Sequence, residues 1–271
     1  MSNDECNAVV IQRVEVSPGL MIMRVRPNSG ELADFKPGQF GVLGLPGSAP
    51  RFEVSDPEDE LPNPDKLIKR AYSVASSSVS KEYIEFYISI VRSGALTPRL
   101  FALGAGDKLF MAPKFKGVFT IENAPETANI VMISTGTGLA PYMSFIRTKL
   151  PKSSKERRFA IIHGARHSWD LGYRSELITL SNVCSNFTYI PSVSRPNEEH
   201  VEWTGVAGYV QDVWKSGVVE KVWGFAPTPE NSHIFLCGNP AMVEAALSLV
   251  EGAGFREHKK KEPGEVHLEK W

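Results

Sequence analysis

Near residue 125 the hydrophobic pattern of this chain changes period, and few folds accommodate both patterns around one core. Before that point short alternating runs, VVIQRVEV from Val9, GLMIMRVRP from Gly19 and FGVLGL from Phe40, are separated by Pro18-Gly19, Pro27-Asn28-Ser29-Gly30 and Lys36-Pro37-Gly38. Short strands spaced by such turns predict a small antiparallel sandwich or barrel. After it the apolar runs NIVMIS, RFAIIHGA, FTYIPSVS and HIFLCG alternate with helical stretches such as GLAPYMSFIRTKL and AMVEAALSLVEGAG. That alternation predicts a doubly wound parallel sheet with helices on both faces. The stretch Glu122-Asn123-Ala124-Pro125-Glu126-Thr127 reads as the linker. A chain of 271 residues can bury two cores. The expected division is an antiparallel β-barrel domain over 1–124 and an α/β nucleotide-binding domain over 125–271.

Within the first half, KRAYSVAS reads as a strand. Alternation sends Arg70 and Tyr72 to one side and Ala71 and Ser73 to the other, so a planar ligand could meet an aromatic face, a guanidinium and a hydroxyl or amide. An ordinary strand with a surface arginine and a half-buried tyrosine has the same pattern. EYIEFYISIVR is a further strand that delivers Gly94, and Thr97-Pro98 opens a predicted helix through Leu103, with Thr97 as its cap. Pro113–Ile121 is predicted to be the last barrel strand. Pro46 to Lys69, dense in proline and acid, reads as an irregular excursion with a short edge strand at Arg51–Val54, either a solvated insertion or a partner-binding loop.

In the second half, Ile130–Ile133 is the first strand, and Ser134-Thr135-Gly136-Thr137-Gly138 is the turn into the helix that starts near Leu139-Ala140-Pro141. Two glycines there let the backbone approach a phosphate, and the helix amides point at it. A plain strand–helix connection looks the same in isolation. Cys237-Gly238 closes the last predicted strand at its carboxyl edge, where open α/β sheets bind ligands.

Taken in order, Arg70-Ala71-Tyr72-Ser73, Gly94-Ala95-Leu96-Thr97, Gly136-Thr137-Gly138-Leu139-Ala140-Pro141 and Cys237-Gly238-Asn239-Pro240-Ala241-Met242 resemble the motifs of the ferredoxin–NADP⁺ reductase family, bacterial type, over nearly the whole chain. The resemblance implies FAD held by Arg70, Ala71, Tyr72, Ser73, Gly94, Leu96 and Thr97, with Ser73 the partner of flavin N5. It implies NADP(H) held by Thr135, Gly136, Thr137 and Gly138, with Cys237 against the nicotinamide. Arg166 and Arg195 match positions where NADP-using relatives place the cations that meet the 2′-phosphate, and either could instead be a solvated charge. A third arginine often follows a glycine in that family; here Gly208 is followed by Tyr209. Trp271, after the basic run Lys259-Lys260-Lys261, matches a terminal aromatic that lies against the flavin. The implied activity is hydride exchange between NADP(H) and flavin, then single-electron exchange with ferredoxin or flavodoxin. The flavin carries the chemistry, so Ser73 and Cys237 are the only catalytic candidates and no general acid or base is demanded.

Two other readings stay open. One is an NADH-dependent reductase component of an oxygenase system, which Tyr209 permits. The other is a non-catalytic electron-transfer or nucleotide-sensing subunit. Composition narrows the rest. Basic and acidic residues number 30 and 31, so no overall field favours nucleic acid or an anionic membrane. Cys6, Cys184 and Cys237 are too few for an iron–sulfur cluster and odd in number, which points to a reducing compartment. With no secretory pattern at the start and no apolar stretch of membrane-spanning length, the expected protein is a cytoplasmic monomer without a metal site.

Overall fold

In the computed structural model, which describes residues 6–270, the chain forms two compact units. One comprises the residues up to Thr120 together with Met143–Thr148, and the other comprises the remainder.

The first unit is a six-stranded antiparallel barrel. Its elements are β1 (Ala8–Ser17), β2 (Leu20–Pro27), β3 (Phe40–Pro46), β4 (Leu67–Ser73), β5 (Ile84–Ser89), the short helix α1 (Thr97–Phe101) and β6 (Lys108–Met111). The spatial order is β4-β3-β6-β1-β2-β5. A bridge between Val74 and Phe86 brings the two outer strands together and closes the sheet on itself. Pro18-Gly19 makes the two-residue connection of the first hairpin, and Gly19 takes the positive φ of 86° that such a turn demands. Every second residue of β2, namely Met21, Met23 and Val25, is fully buried beside Leu43, Phe86 and Ile88, as the period of two predicts.

Three predicted elements differ in this unit. Residues 113–121 form no strand: Pro113 has no N–H to give a ladder, Gly117 turns the chain at φ 117°, and only an isolated Phe40–Lys116 bridge remains. Arg51–Val54 is not an edge strand but part of a turn closed by Ser55 N–H donating to the Phe52 carbonyl at 3.0 Å. The helix after Gly94 ends at Phe101, and its cap is Leu96 rather than Thr97.

The second unit is a wholly parallel six-stranded sheet. Its elements are β7 (Asn129–Thr135), α2 (Ala140–Lys149, of which Met143–Thr148 counts with the first unit), β8 (Phe159–Ala165), α3 (Arg174–Val183), β9 (Phe187–Val193), β10 (Val206–Ala207), α4 (Val210–Lys215), α5 (Val218–Trp223), β11 (Ser232–Gly238), α6 (Pro240–Gly252) and β12 (Val266–Lys270). The order β10-β9-β8-β7-β11-β12 runs outward from β7 in one direction through β8, β9 and β10, then returns to lay β11 on its other side. Ile130–Ile133 are all fully buried, as a strand covered on both faces requires. Two details depart from the sequence reading: β7 continues through Ser134 and Thr135, and β11 is not the last strand. The tail supplies β12, paired in parallel from Ile234–Val266 to Gly238–Lys270. Among the described residues no helix is long and apolar enough to cross a membrane.

Candidate functional site

In the barrel unit, β3 and β4 pair so that Gly41 faces Tyr72 and Phe40 faces Ser73. Tyr72 packs half-buried against the core, edge-on to Phe86 with ring centroids 6.5 Å apart, and burial raises its phenol pKa while nearby Arg70 opposes the shift. The Arg70 guanidinium is exposed and bonds only the neighbouring Lys69 carbonyl, at 2.8 Å, among the described residues. An exposed fork of donors beside an anchored aromatic ring is a donor set that suits a planar, phosphate-bearing ligand.

Gly94 sits in a tight turn, its N–H donating to the Val91 carbonyl at 2.8 Å. A Cβ at Gly94 would stand 3.0 Å from that carbonyl oxygen and 3.3 Å from the Thr97 hydroxyl, so the turn is packed to the backbone. The Thr97 hydroxyl closes the turn instead of capping the helix: it accepts from Val91 N at 2.9 Å and donates to Val91 O at 3.2 Å. Leu96 is buried in the core beneath it.

Sequence reasoning missed what holds this turn from outside. Arg51 reaches from the proline-rich excursion and donates to the carbonyls of Gly94 (3.0 Å), Asp56 (2.8 Å) and Arg92 (3.2 Å). Glu58 pairs with Arg51 at 2.9 Å and accepts two bonds from Arg99 at 2.8 and 2.9 Å. Arg99, a buried residue of α1, also donates to the carbonyls of Gly47 and Ala95. Hydrogen bonding from Arg99 holds the Glu58 carboxyl below the ordinary range. The excursion is therefore docked on the Gly94 turn rather than simply solvated, and no local pattern announces pairs formed forty residues apart.

In the parallel sheet the reversal of strand order falls between β7 and β11, and ligands of such sheets sit beyond the carboxyl ends of the strands there. The two loops that leave these strands lie back to back. Gly136 turns at φ 53°, and Gly136–Leu139 forms one 3-10 turn that runs into α2. A Cβ on Gly138 would stand 2.3 Å from the Cys237 carbonyl oxygen, and one on Gly238, at φ 146°, would stand 2.5 Å from the Thr135 hydroxyl. That hydroxyl accepts from Asn239 N at 3.3 Å, and the Asn239 side chain caps α6 by accepting from Ala241 N at 3.0 Å. Tyr142, fully buried, ties the strands beneath: its hydroxyl donates toward the carbonyls of Ile133 (3.1 Å) and Phe235 (2.7 Å).

Thr135, Gly136, Thr137, Gly138 and Cys237 are thus brought together at the switch point. Cys237 is covered, with its sulfur 3.8 Å from a Glu269 carboxylate oxygen on β12, and burial followed by Glu269 pushes its thiol pKa well up. It is a buried thiol kept in its uncharged form. His163 on β8 is fully buried and bonded to the Tyr189 hydroxyl at 3.1 Å; burial lowers its pKa to about 4, so it brings no charge at neutral pH.

At the carboxyl ends of β8 and β9 the backbones of Arg166 and Arg195 are joined, Arg195 N donating to the Arg166 carbonyl at 3.0 Å. Both side chains are exposed. Arg195 shares the Glu198 carboxylate, at 3.3 Å, with His167 Nε2 at 2.9 Å, and those partners keep Glu198 below its ordinary pKa. Tyr209, at the position that departs from the family pattern, is exposed at the start of α4. Trp271 lies outside the described residues.

A sequence profile described as Oxidoreductase NAD-binding domain matches residues 132–248. The chain is similar to the ferredoxin–NADP reductase of Azotobacter vinelandii, 30% identical over 87% of this chain and 86% of that protein. It is also similar to the flavodoxin/ferredoxin–NADP reductase of Escherichia coli (strain K12), 30% identical over 77% of this chain and 76% of that protein. Among solved structures, a ferredoxin NADP⁺ reductase from Neisseria gonorrhoeae with bound FAD and NADP superposes with a TM-score of 0.78 at 22% identity, covering 97% of both chains. The last likeness establishes the shared fold.

Proposed function

Since the chain belongs to the ferredoxin/flavodoxin–NADP reductase family, we propose that it is an FAD-dependent oxidoreductase that exchanges electrons between NADP(H) and a ferredoxin or flavodoxin. One observation carries the reading furthest: the loops after β7 and β11 are packed glycine against backbone at the strand-order reversal, with two exposed arginines at the neighbouring strand ends. In this reading a diphosphate lies against these loops and the helix amides that follow them, and the two arginines supply the bidentate donors that a 2′-phosphate selects. The residues present also fit a flavin: Arg70 has a free-facing fork for phosphate, Tyr72 an anchored ring, Ser73 the next position on the strand, and the Gly94–Thr97 turn a close-packed backbone.

When bound, these groups supply hydride transfer and its division into single electrons. The work left to the chain is binding, orientation and exclusion of water. Gly138 and Gly238 let the two loops pack together, Arg166 and Arg195 meet the 2′-phosphate, and Cys237 keeps a small uncharged side chain at the end of β11, beneath the nicotinamide side. Arg70, Ala71, Tyr72, Ser73, Gly94, Leu96 and Thr97 hold the flavin side.

The test is steady-state reduction of an artificial acceptor with NADPH and NADH by the native protein and Arg195→Ala. We expect NADPH to be preferred, and the substitution to raise its KM roughly tenfold, the loss of about 1.4 kcal/mol, while NADH changes less than twofold. Equal effects on the two nucleotides would show that Arg195 does not meet the 2′-phosphate. A native preference for NADH would favour the oxygenase-component reading.

A further inference from the structure

The excursion between β3 and β4 holds the Gly94 turn from outside, and it does so through a largely buried ion-pair cluster. It leaves and returns at one place, where Gly47 N donates to the Lys66 carbonyl at 3.1 Å and Ser48 N to the Pro64 carbonyl at 3.1 Å. From that neck, residues 51–58 fold back onto residues 92–99. Asp56 N donates to the Arg92 carbonyl at 3.0 Å, Phe52 N to the Pro98 carbonyl at 3.0 Å, and the Phe52 ring packs 6.0 Å from that of Phe101. At the centre stand Arg51, Glu58 and Arg99, with side chains only 17%, 10% and 3% exposed.

One carboxylate between two guanidiniums leaves the cluster with a net charge of +1. The Glu58–Arg99 pair is the fixed part: its two parallel bonds lock Arg99 to Glu58. Arg51 is the part that reaches out. Its NH1 is shared between Glu58 and the Gly94 carbonyl, and its NH2 spans the carbonyls of Asp56 and Arg92. By taking the carbonyls on both sides of Ser93, Arg51 fixes the peptide planes of the turn, so that the carbonyl dipoles point toward the arginine. A loop held this way has already lost the entropy that a ligand would otherwise have to remove.

We propose that Arg51, oriented by Glu58, is a positioning residue for the flavin diphosphate: it preforms the Gly94–Thr97 turn and places a partly uncompensated positive charge behind it. The inference rests on the reading of that turn as a flavin site, and it assigns the excursion a binding role rather than a partner-docking one. The ligand favoured is a dinucleotide, because the ordered backbone and the extra charge both act on phosphate; a flavin with a single phosphate gains less.

The experiment uses the full chain, stripped of flavin and titrated with FAD and with FMN while flavin fluorescence and unfolding temperature are followed. Arg51→Ala is expected to weaken FAD at least tenfold and FMN less than threefold. Arg51→Lys should recover part of the FAD affinity, since a point charge replaces the charge but not the fork. Glu58→Gln frees Arg51 from its carboxylate but adds one unit of positive charge to the cluster, so it should weaken FAD less than Arg51→Ala does and still more than it weakens FMN; it leaves Arg51 in the chain, so the outcome does not depend on Arg51→Ala folding. A purely structural role would lower the unfolding temperature and loosen both flavins by the same factor, and that result overturns the proposal. Arg70→Ala separates the two levels of inference. If it loosens FAD and the Arg51 variants do not, the positioning role fails alone. If neither position affects FAD, the flavin site itself is elsewhere.

Discussion

Arg99 shows how much can hang on one side chain that a sequence pattern passes over. A helix of five residues keeps a guanidinium buried because Glu58 and two carbonyls meet its terminal N–H groups. Removing one partner of such a pair leaves a buried charge uncompensated, which in general costs about 3–5 kcal/mol. The sign of the pH dependence follows from Glu58, whose folded pKa lies below its ordinary value chiefly through the Arg99 hydrogen bond. A depressed carboxyl adds stability in full above its unfolded pKa and loses it as pH falls through the folded one. The gap in unfolding temperature between the native protein and Glu58→Gln should therefore be widest near neutral pH and close on acidification below about pH 4.5. A gap that stays constant from pH 7 to pH 3.5 would mean that Glu58 is not held as an ion there. Arg70, Tyr72 and the glycines became candidates through residue type and spacing alone. Arg51 and Glu58 were not, because their partners are backbone carbonyls and charges brought close only by the tertiary fold.

At the scale of elements, the glycine loops after β7 and β11 are one device made of two pieces. Each glycine is required by the other loop: a methyl group on Gly138 would overlap the Cys237 carbonyl at 2.3 Å, and one on Gly238 would overlap the Thr135 hydroxyl at 2.5 Å. Gly138→Ala should force the loops apart, at a cost of the order of 1–3 kcal/mol typical of overpacking. The expected result is an unfolding temperature several degrees lower and a KM for NADPH raised tenfold or more, with flavin occupancy unchanged. An unaltered KM would mean that the cradle does not hold the nucleotide. The strands of both sheets were legible wherever alternation or uniform burial was strong, as in β2 and β7. The failures have physical causes. Residues 113–121 look like a strand in hydropathy, but Pro113 and the left-handed Gly117 deny them a ladder. β12 was taken for a tail because five residues give little period; the signal that could have found it is Pro263-Gly264 followed by Val266-x-Leu268, with Gly264 in a turn so close that a Cβ would stand 2.3 Å from the Arg256 carbonyl.

At the scale of the whole molecule, the change of period near residue 125 separates an antiparallel barrel from a parallel sheet, and in each the proposed function assigns phosphate to one loop region with an exposed arginine. Two independent cradles in one chain are what a reductase needs if a flavin and a pyridine nucleotide are to be held at once. That requirement is met most directly by following the visible spectrum of the purified full chain, reconstituted with FAD, under anaerobic titration with NADPH and then with an oxidised ferredoxin or flavodoxin. We expect about one FAD per chain, loss of the flavin absorbance near one equivalent of NADPH, and its return when the carrier protein is added. A chain that binds no FAD, or one whose bound FAD keeps its colour under excess NADPH, would contradict the proposed function.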